Sequence, residues 1–367
     1  MIIGVPTEIK AQEFRVGLPP SSAHELIANG HEVLIQSDAG DQIGFDNTQY
    51  VNAGATITHN AEEIFSKSEL IVKVKEPLVN ECLQLKPGQT LFTFLHLAPA
   101  PEQAELLLNS GATCIAYETV TDHNGGLPLL TPMSEIAGRL SVQTGAHHLE
   151  KTQGGMGCLL GGVPGVPPAK VLVLGGGIVG TQAASIALGM GANVTVIDKS
   201  LTRLRQLDRE FSGQLNTVYS TVNAINEHAI ESDLVIGAVL IPGDTAPQLL
   251  RREAVKQMKK GSVIVDVAID QGGCFETSRP TTHASPTYII DGVIHCCITN
   301  MPSACARTAT LALSNATLPY VITLANKGTA EAISKDKGLR NGVNVHSGHI
   351  THPSVAKALN LPYHELA

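Results

Sequence analysis

Tryptophan is absent from this 367-residue chain, and aromatic residues together make up 4% of it. Ala, Val, Ile and Leu must therefore fill the interior, within a hydrophobic fraction of 43%. Met1 to Lys10 also lacks a basic region followed by an apolar run, so no secretory signal is expected. No stretch reads as a membrane span: the most apolar one, about Ala304 to Ala325, contains Arg307, Ser314, Asn315 and Pro319. A cytoplasmic protein with no membrane partner is expected. Clusters of Lys and Arg are missing and the net charge is -8, so no nucleic-acid partner is expected. An anionic small molecule stays compatible with this balance, because one local Arg or Lys can dominate a pocket. The seven cysteines, Cys82, Cys114, Cys158, Cys274, Cys296, Cys297 and Cys305, show no CxxC spacing and no compact His/Cys ligand set. They read as small buried side chains, with Cys296 and Cys297 on opposite faces if their segment is a strand. No metal is expected.

What is present is an alternation of short β-rich runs with longer helical patterns. The length suits two domains of roughly 150–200 residues each. Strands are predicted at Ile2–Val5, Glu32–Ile35, Leu70–Val74, Thr90–Leu95 and Thr113–Tyr117, with helices such as Pro20–Asn29 and Glu102–Ser110 between them. A second series follows at Lys170–Leu174, Asn193–Ile197, Thr217–Tyr219, Leu234–Val239, Ser262–Val267 and Val293–Ile298, with helices at Gly180–Met190 and Pro247–Lys259. Such alternation implies right-handed βαβ crossovers and parallel sheets. Near Thr131-Pro132-Met133-Ser134-Glu135 a helix should begin, capped by Thr131 or Ser134, and run to about Gln153. The glycine- and proline-rich run from Gly154 to Pro168 cannot be regular structure. A long apolar helix is expected from about Ser303 to Lys327, stopped at Gly328. The roughly 40 residues after it are too few for a domain and should return to the first one. The predicted class is therefore α/β, with two doubly wound parallel-sheet domains. Residues 1–130 and 305–367 form a discontinuous substrate domain, residues 131–304 form an inserted dinucleotide-binding domain of Rossmann type, and an active-site cleft lies between them.

The second domain carries the most specific local motif. The buried strand Val171-Leu172-Val173-Leu174 runs directly into Gly175-Gly176-Gly177-Ile178-Val179-Gly180, a G-x-G-x-x-G that opens an Ala-rich helix. Gly175 permits the tight turn, Gly177 lets a pyrophosphate approach the backbone, and Gly180 lets helix and strand pack closely. The helix N-terminus then offers free N–H groups to the phosphates. The next strand ends at Asp198, about 20 residues beyond the glycines, where the fingerprint requires an acid. Its carboxylate suits ribose hydroxyls and repels a 2′-phosphate, which favours NAD over NADP. Lys199 and Arg203 oppose that preference, since either can reach a phosphate.

In open parallel sheets, ligands bind beyond the carboxyl ends of the strands. Arg15, in the loop after the first strand, Lys75 after Leu70–Val74 and His96 after Leu95 stand at such ends in the first domain. Asp270 and Asn300 do so in the second. Each has a plainer reading. Lys73 and Lys75 lie on one face and can snorkel at the sheet end. His96 can be a structural histidine, Asp270 can cap the turn at Gly272–Gly273, and Arg15 can be a solvated loop charge. Their joint placement favours function but does not identify a substrate.

These residues fall in stretches that resemble the alanine dehydrogenase family. The similar segments are Glu8 to Pro20 (EIKAQEFRVGLPP), Val72 to Pro77 (VKVKEP), Leu95 to Ala98 (LHLA), Thr131 to Arg139 (TPMSEIAGR) and Gly161 to Ala169 (GGVPGVPPA). Val171 to Gly180, Asp266 to His283 (DVAIDQGGCFETSRPTTH) and Asn300-Met301-Pro302 complete the set. The sequence departs from the family at Phe94, where many relatives have Tyr, and at Ser303–Ala306, where Gly, Val and Pro are usual. The resemblance implies reversible oxidative deamination of L-alanine to pyruvate and ammonia, with NAD reduced, by a homohexamer. It implies that Arg15 clamps the substrate carboxylate, and that Lys75 bonds the substrate's carboxylate or carbonyl oxygen. His96 and Asp270 then move protons, and which of them is the principal base stays open. Met133 and Met301 correspond to pocket or nicotinamide contacts, with Asn300 near both substrate and cofactor. Ser134, Asp198, Lys199, Arg203, Ser220, Val239, Val267, Asp270 and Ile298 correspond to cofactor contacts beside the three glycines.

Three other readings share parts of this pattern. They are the NAD-binding subunit of proton-translocating transhydrogenase, saccharopine or lysine dehydrogenase chemistry, and an NAD-sensing protein with a degenerate site. The first is normally tied to membrane segments, and the last would not need Arg15, Lys75, His96 and Asp270 together.

Overall fold

Apolar runs too short for helices and flanked by glycine or polar turns become strands buried on both faces, as parallel sheets covered by helices require. In this computed structural model, which describes residues 1–239 and 246–366, the strands in chain order are as follows. The first six are β1 (Ile2–Val5), β2 (Glu32–Gln36), β3 (Thr56–Thr58), β4 (Leu70–Val72), β5 (Thr90–Thr93) and β6 (Thr113–Ala116). Next come β7 (Lys170–Leu174), β8 (Asn193–Asp198), β9 (Asn216–Tyr219), β10 (Leu234–Gly237) and β11 (Val263–Asp266). The last are β12 (Thr287–Ile290), β13 (Val293–Cys296), β14 (Val343–His346) and β15 (His349–Ile350). The chain divides into two compact units, Met1–Met133 with Cys305–Ala367, and Ser134–Ala304.

The first unit holds a sheet of order β15-β14-β6-β5-β4-β1-β2-β3, the second one of order β12-β13-β11-β10-β7-β8-β9. In the first, β1 pairs in parallel with both β2 and β4, as β7 does with β8 and β10 in the second. Each sheet is thus doubly wound and reverses its strand order at one crevice, between β1 and β4 or between β7 and β10. The sheets are mixed rather than wholly parallel, because β14 runs antiparallel on β6, β15 on β14, and β12 on β13. The core of the first unit packs Ile71, Leu91, Leu107, Cys114 and Val345 together, and that of the second packs Leu172, Ile197, Val235, Ile264 and Phe275. No helix among the described residues is long and apolar enough to cross a membrane.

Several strands stop earlier than their apolar runs predict, and at three of them a carboxylate accepts backbone N–H groups just past the strand's end. β4 ends at Val72, and Glu8 accepts the Val74 N–H at 2.6 Å and the Lys75 N–H at 3.3 Å. β5 ends at Thr93, and Glu118 accepts the His96 N–H at 2.6 Å and the Leu95 N–H at 3.2 Å. β11 ends at Asp266, whose own carboxylate accepts from Ala268 and Cys274 at 3.1 and 2.8 Å. β6, β10 and β13 also end earlier than predicted, at Ala116, Gly237 and Cys296.

The helix predicted over Pro247–Lys259 is one turn only, Arg252–Val255. Its first residues are extended instead: Leu249 N–H donates to Cys274 O at 2.7 Å and Leu250 O accepts from Glu276 N–H at 3.0 Å. The helix Thr131–His148 stops short of Gln153, and a separate 3-10 turn, Lys151–Gln153, closes on Gly154 at φ 91°. Thr131 is its first helical residue and Ser134 stands one turn inside, so neither is its N-cap. The long helix after Ser303 spans Ala306–Lys327, preceded by the 3-10 turn Met301–Cys305.

Candidate active site

The second unit's crevice is built around the glycine turn. Gly175 adopts φ 99°, and a Cβ there would lie 2.8 Å from Val239 Cγ2 and 2.9 Å from Ala238 O, because β10 ends directly beside β7. At Gly180 a Cβ would meet Gly175 O at 1.8 Å, so only glycine lets the helix Ile178–Gly189 start this close to its strand. Gly177 differs: nothing lies within 4 Å of a Cβ built on it. The backbone there faces open space, and no side chain caps the helix that begins after it. Free N–H groups at the start of a three-turn helix, approached over a glycine, fit the pyrophosphate of a dinucleotide.

Asp198 closes this turn at the end of β8. Its Oδ2 accepts the Gly176 N–H and its Oδ1 the Ser200 N–H, both at 2.7 Å. Ser220 donates its N–H to Asp198 O at 3.0 Å, which places Ser220 at the same edge. Arg203 does not point to an open phosphate position. Its Nε donates to Gly176 O and one terminal nitrogen to Thr181 Oγ1, both at 2.5 Å, so the guanidinium braces the glycine turn. Lys199 is exposed. Val239 and Val267 stand half-buried just past β10 and β11, while Ile298 and Met301 are buried. Asn300 has φ 58°, and its carbonyl accepts from Ser303 Oγ at 3.0 Å with His283 Nε2 at 3.3 Å.

Asp270 lies exposed in the 3-10 turn Ile269–Gln271, which ends on Gly272 at φ 93°. It does not cap the Gly272–Gly273 turn. Buried Asp266 does so, through Cys274 N–H and a 2.5 Å bond from Ser278 Oγ. Burial holds the Asp266 carboxyl above its usual range, against the pull of these donors.

In the first unit, β1, β4 and β5 are neighbours, and they deliver Arg15, Lys75 and His96 beyond their carboxyl ends. Arg15 is not a solvated loop charge. It is 2% exposed, and its Nε and one terminal nitrogen bond the two oxygens of Glu13 at 2.6 and 2.5 Å. Its other terminal nitrogen contacts Met133 Sδ at 3.1 Å, which brings two of the predicted substrate residues together. Lys75 is mostly covered, with Nζ 3.6 Å from Glu76 Oε2. Burial would raise Glu76, but Lys75 and Lys10 outweigh it and hold that carboxyl below its usual range. His96 is exposed and has φ 50°. Its ring stacks on Phe94 at 5.7 Å between centroids, and Phe94 packs edge-on against Tyr117 at 5.1 Å.

Lys73 does not snorkel. It is fully buried, with Nζ 2.6 Å from Glu81 and 3.2 Å from Glu8, and Tyr117 Oη donates to its carbonyl at 2.9 Å. Burial alone would lower its pKa; the two carboxylates outweigh that and raise it. Glu8, Glu13, Glu81 and Glu118 are thus the residues that sequence reasoning missed. The available signal is that Glu8 and Glu13 share the loop of Arg15, and Glu118 follows β6 as His96 follows β5.

Two doubly wound sheets, one opening on a glycine cradle with an acid at the end of the next strand, define a dinucleotide-binding α/β protein with a second α/β unit. Family models for the N-terminal and C-terminal domains of alanine dehydrogenase/PNT match residues 4–137 and 141–353. The chain belongs to this alanine dehydrogenase/PNT family. It is 56% identical to an alanine dehydrogenase of Halomonas elongata over 367 residues, covering all of this chain and 99% of that one. A solved structure of an L-alanine dehydrogenase matches with a TM-score of 0.96 at 52% identity, covering 98% of this chain and 99% of that one. A transhydrogenase from Sinorhizobium meliloti matches with a TM-score of 0.83 at 24% identity, covering 96% of this chain and 100% of that one, and shares the fold.

Proposed function

We propose that this chain catalyses the NAD-dependent, reversible oxidative deamination of L-alanine: alanine, water and oxidised NAD give pyruvate, ammonium, NADH and a proton. The observation that carries the reading is the buried Arg15, locked by Glu13 against Met133 at the carboxyl end of the first sheet, in a chain of this family. A guanidinium already fixed in one rotamer loses little further freedom when it binds a carboxylate. Lys75 hydrogen-bonds the substrate's carboxylate or carbonyl oxygen and stabilises charge that develops there. His96 and Asp270 take the proton from the attacking water and return one to the departing amine. Residues 1–130 and 305–367 serve as the substrate domain, and 131–304 as the NAD domain. When bound, NAD would supply the hydride acceptor for the alanine Cα–H. Gly175, Gly177 and Gly180 would hold its pyrophosphate, Asp198 its adenosine ribose, and Ser134, Lys199, Ser220, Val239, Val267, Ile298, Asn300 and Met301 would line the rest. A cytoplasmic homohexamer, as the resemblance implies, belongs to the same proposal, and light scattering on purified protein tests the assembly.

The direct test adds L-alanine and NAD and follows NADH. L-Alanine is expected to be the best substrate, because Met133, which contacts Arg15, and Phe94 would wall a pocket sized for a methyl group. Each methylene that does not fit costs about 1–3 kcal/mol in specificity. Efficient turnover of L-leucine or L-lysine under the same conditions contradicts the assignment.

NAD is expected to be strongly preferred over NADP, because the Asp198 carboxylate repels a 2′-phosphate. Arg203 is committed to Gly176 and Thr181, which leaves Lys199 as the nearby cation able to offset that repulsion. Comparison of kcat/KM for both cofactors checks this. Asp198→Ala should narrow the gap, and equal efficiencies in the wild type would refute it.

A further inference from the structure

We propose that Glu118 is the positioning residue for His96, holding both its backbone and its ring for proton transfer; this rests on the assignment of His96 given above. His96 sits at φ 50°, a left-handed conformation that residues with a Cβ rarely adopt and that tends to mark functional sites. Glu118, in the turn Tyr117–Thr119 after the neighbouring strand, stabilises it. One carboxylate accepts the N–H of His96 at 2.6 Å and that of Leu95 at 3.2 Å, so two successive amides converge on it. The same Oε1 lies 3.9 Å from His96 Nδ1. That contact is ionic rather than a hydrogen bond, and it becomes attractive when the ring carries a proton. The opposite constraint is Phe94, whose ring is 2° from parallel with the imidazole.

The carboxylate is mostly covered, at 15% exposure of its side chain. His352, from the C-terminal segment, lies within its electrostatic reach; burial lowers the His352 pKa by more than Glu118 raises it. A base oriented by a third group in this way is the arrangement that proton transfer requires.

The test is a double-mutant cycle on the full-length enzyme, assayed with L-alanine and NAD. Glu118→Gln keeps the shape but loses the charge and one acceptor. It is expected to lower kcat roughly ten- to hundred-fold, the scale of a misplaced catalytic group. The KM for alanine and the NADH Kd should stay near wild type. In a His96→Asn background the same change should cost nothing further, because Glu118 acts through His96. Glu118→Asp, which keeps the charge but retracts it by one methylene, serves the same cycle if Glu118→Gln fails to fold. Wild-type kcat in the folded Glu118 variant, or losses that multiply in the double variant, overturn the proposal while leaving His96 in place. Wild-type kcat in His96→Asn alone removes the reading of His96 itself, and the role of Glu118 falls with it.

Discussion

Purified His96→Asn and Asp270→Asn variants are expected to lose about 10²–10⁴-fold in kcat for alanine oxidation, the usual contribution of a general acid or base. Both substitutions keep the side chain's approximate shape and remove its proton transfer. Neither should unfold the protein, because both positions are exposed and exposed substitutions usually change stability by about 0.5 kcal/mol or less. Asparagine is also among the few residues that tolerate φ 50°, so the backbone turn at His96 survives the change. NADH fluorescence titration separates binding from chemistry. His96 belongs to the first unit and its loss should leave NADH affinity intact. Asp270 belongs to the unit with the glycine cradle, and its loss is expected to weaken NADH binding as well. Near wild-type kcat in both variants, while folded and NADH-competent, places the chemistry elsewhere.

The parts of this fold that sequence conveys are those whose signal is local. β7 with its glycines, the acid that ends β8 and the long helix Ala306–Lys327 each carry their pattern within a few residues. Strands β12, β14 and β15 are short and easily passed over, although the two-residue turns Asp291–Gly292 and Ser347–Gly348 that join β12 to β13 and β14 to β15 are local hairpin signals. The antiparallel pairing of β14 with β6 is not legible, because β6 lies far back in the sequence. The helix expected over Pro247–Lys259 fails for the same reason, since a bridge from Leu250 to Phe275 decides its backbone. The site divides in the same way. Residues beyond strand ends can be found by position, which is how Arg15, Lys75 and His96 emerge. Their supporting acids stand in the same loops, but what they hold is not legible, because Glu8 reaches 66 residues to Val74 and Glu118 reaches 22 to His96. The plain readings of Lys73 as a snorkelling side chain and Arg15 as a solvated one treat each charge alone, and burial next to a carboxylate reverses both.

Lys73→Met is expected to destabilise the protein by about 3–5 kcal/mol at neutral pH, the typical cost of removing one member of a buried ionic set. Methionine fills a similar volume, so the loss comes from charge rather than from a cavity. Without the ammonium, Glu8 and Glu81 face each other in a dry interior with nothing between them. Burial already raises the Glu8 carboxyl in the wild type, against the pull of Lys73 and of the Val74 N–H. Losing Lys73 raises it further, so the folded variant binds more protons than the unfolded chain above the ordinary carboxylate range. Stability then falls as pH rises through that window. The cost of the substitution should therefore be smaller near pH 5 than near pH 8, and urea unfolding at both values measures it. Glu8→Gln in the same background should recover part of the loss by removing one of the two unpaired charges. The effect reaches the site as well, because Glu8 holds the Val74 and Lys75 amides. Under conditions where Lys73→Met remains folded, its KM for alanine is expected to rise, since the loop that presents Lys75 loses its anchor. An unchanged midpoint at pH 8, or a cost that grows toward acid, rules out the buried carboxylate pair as the origin.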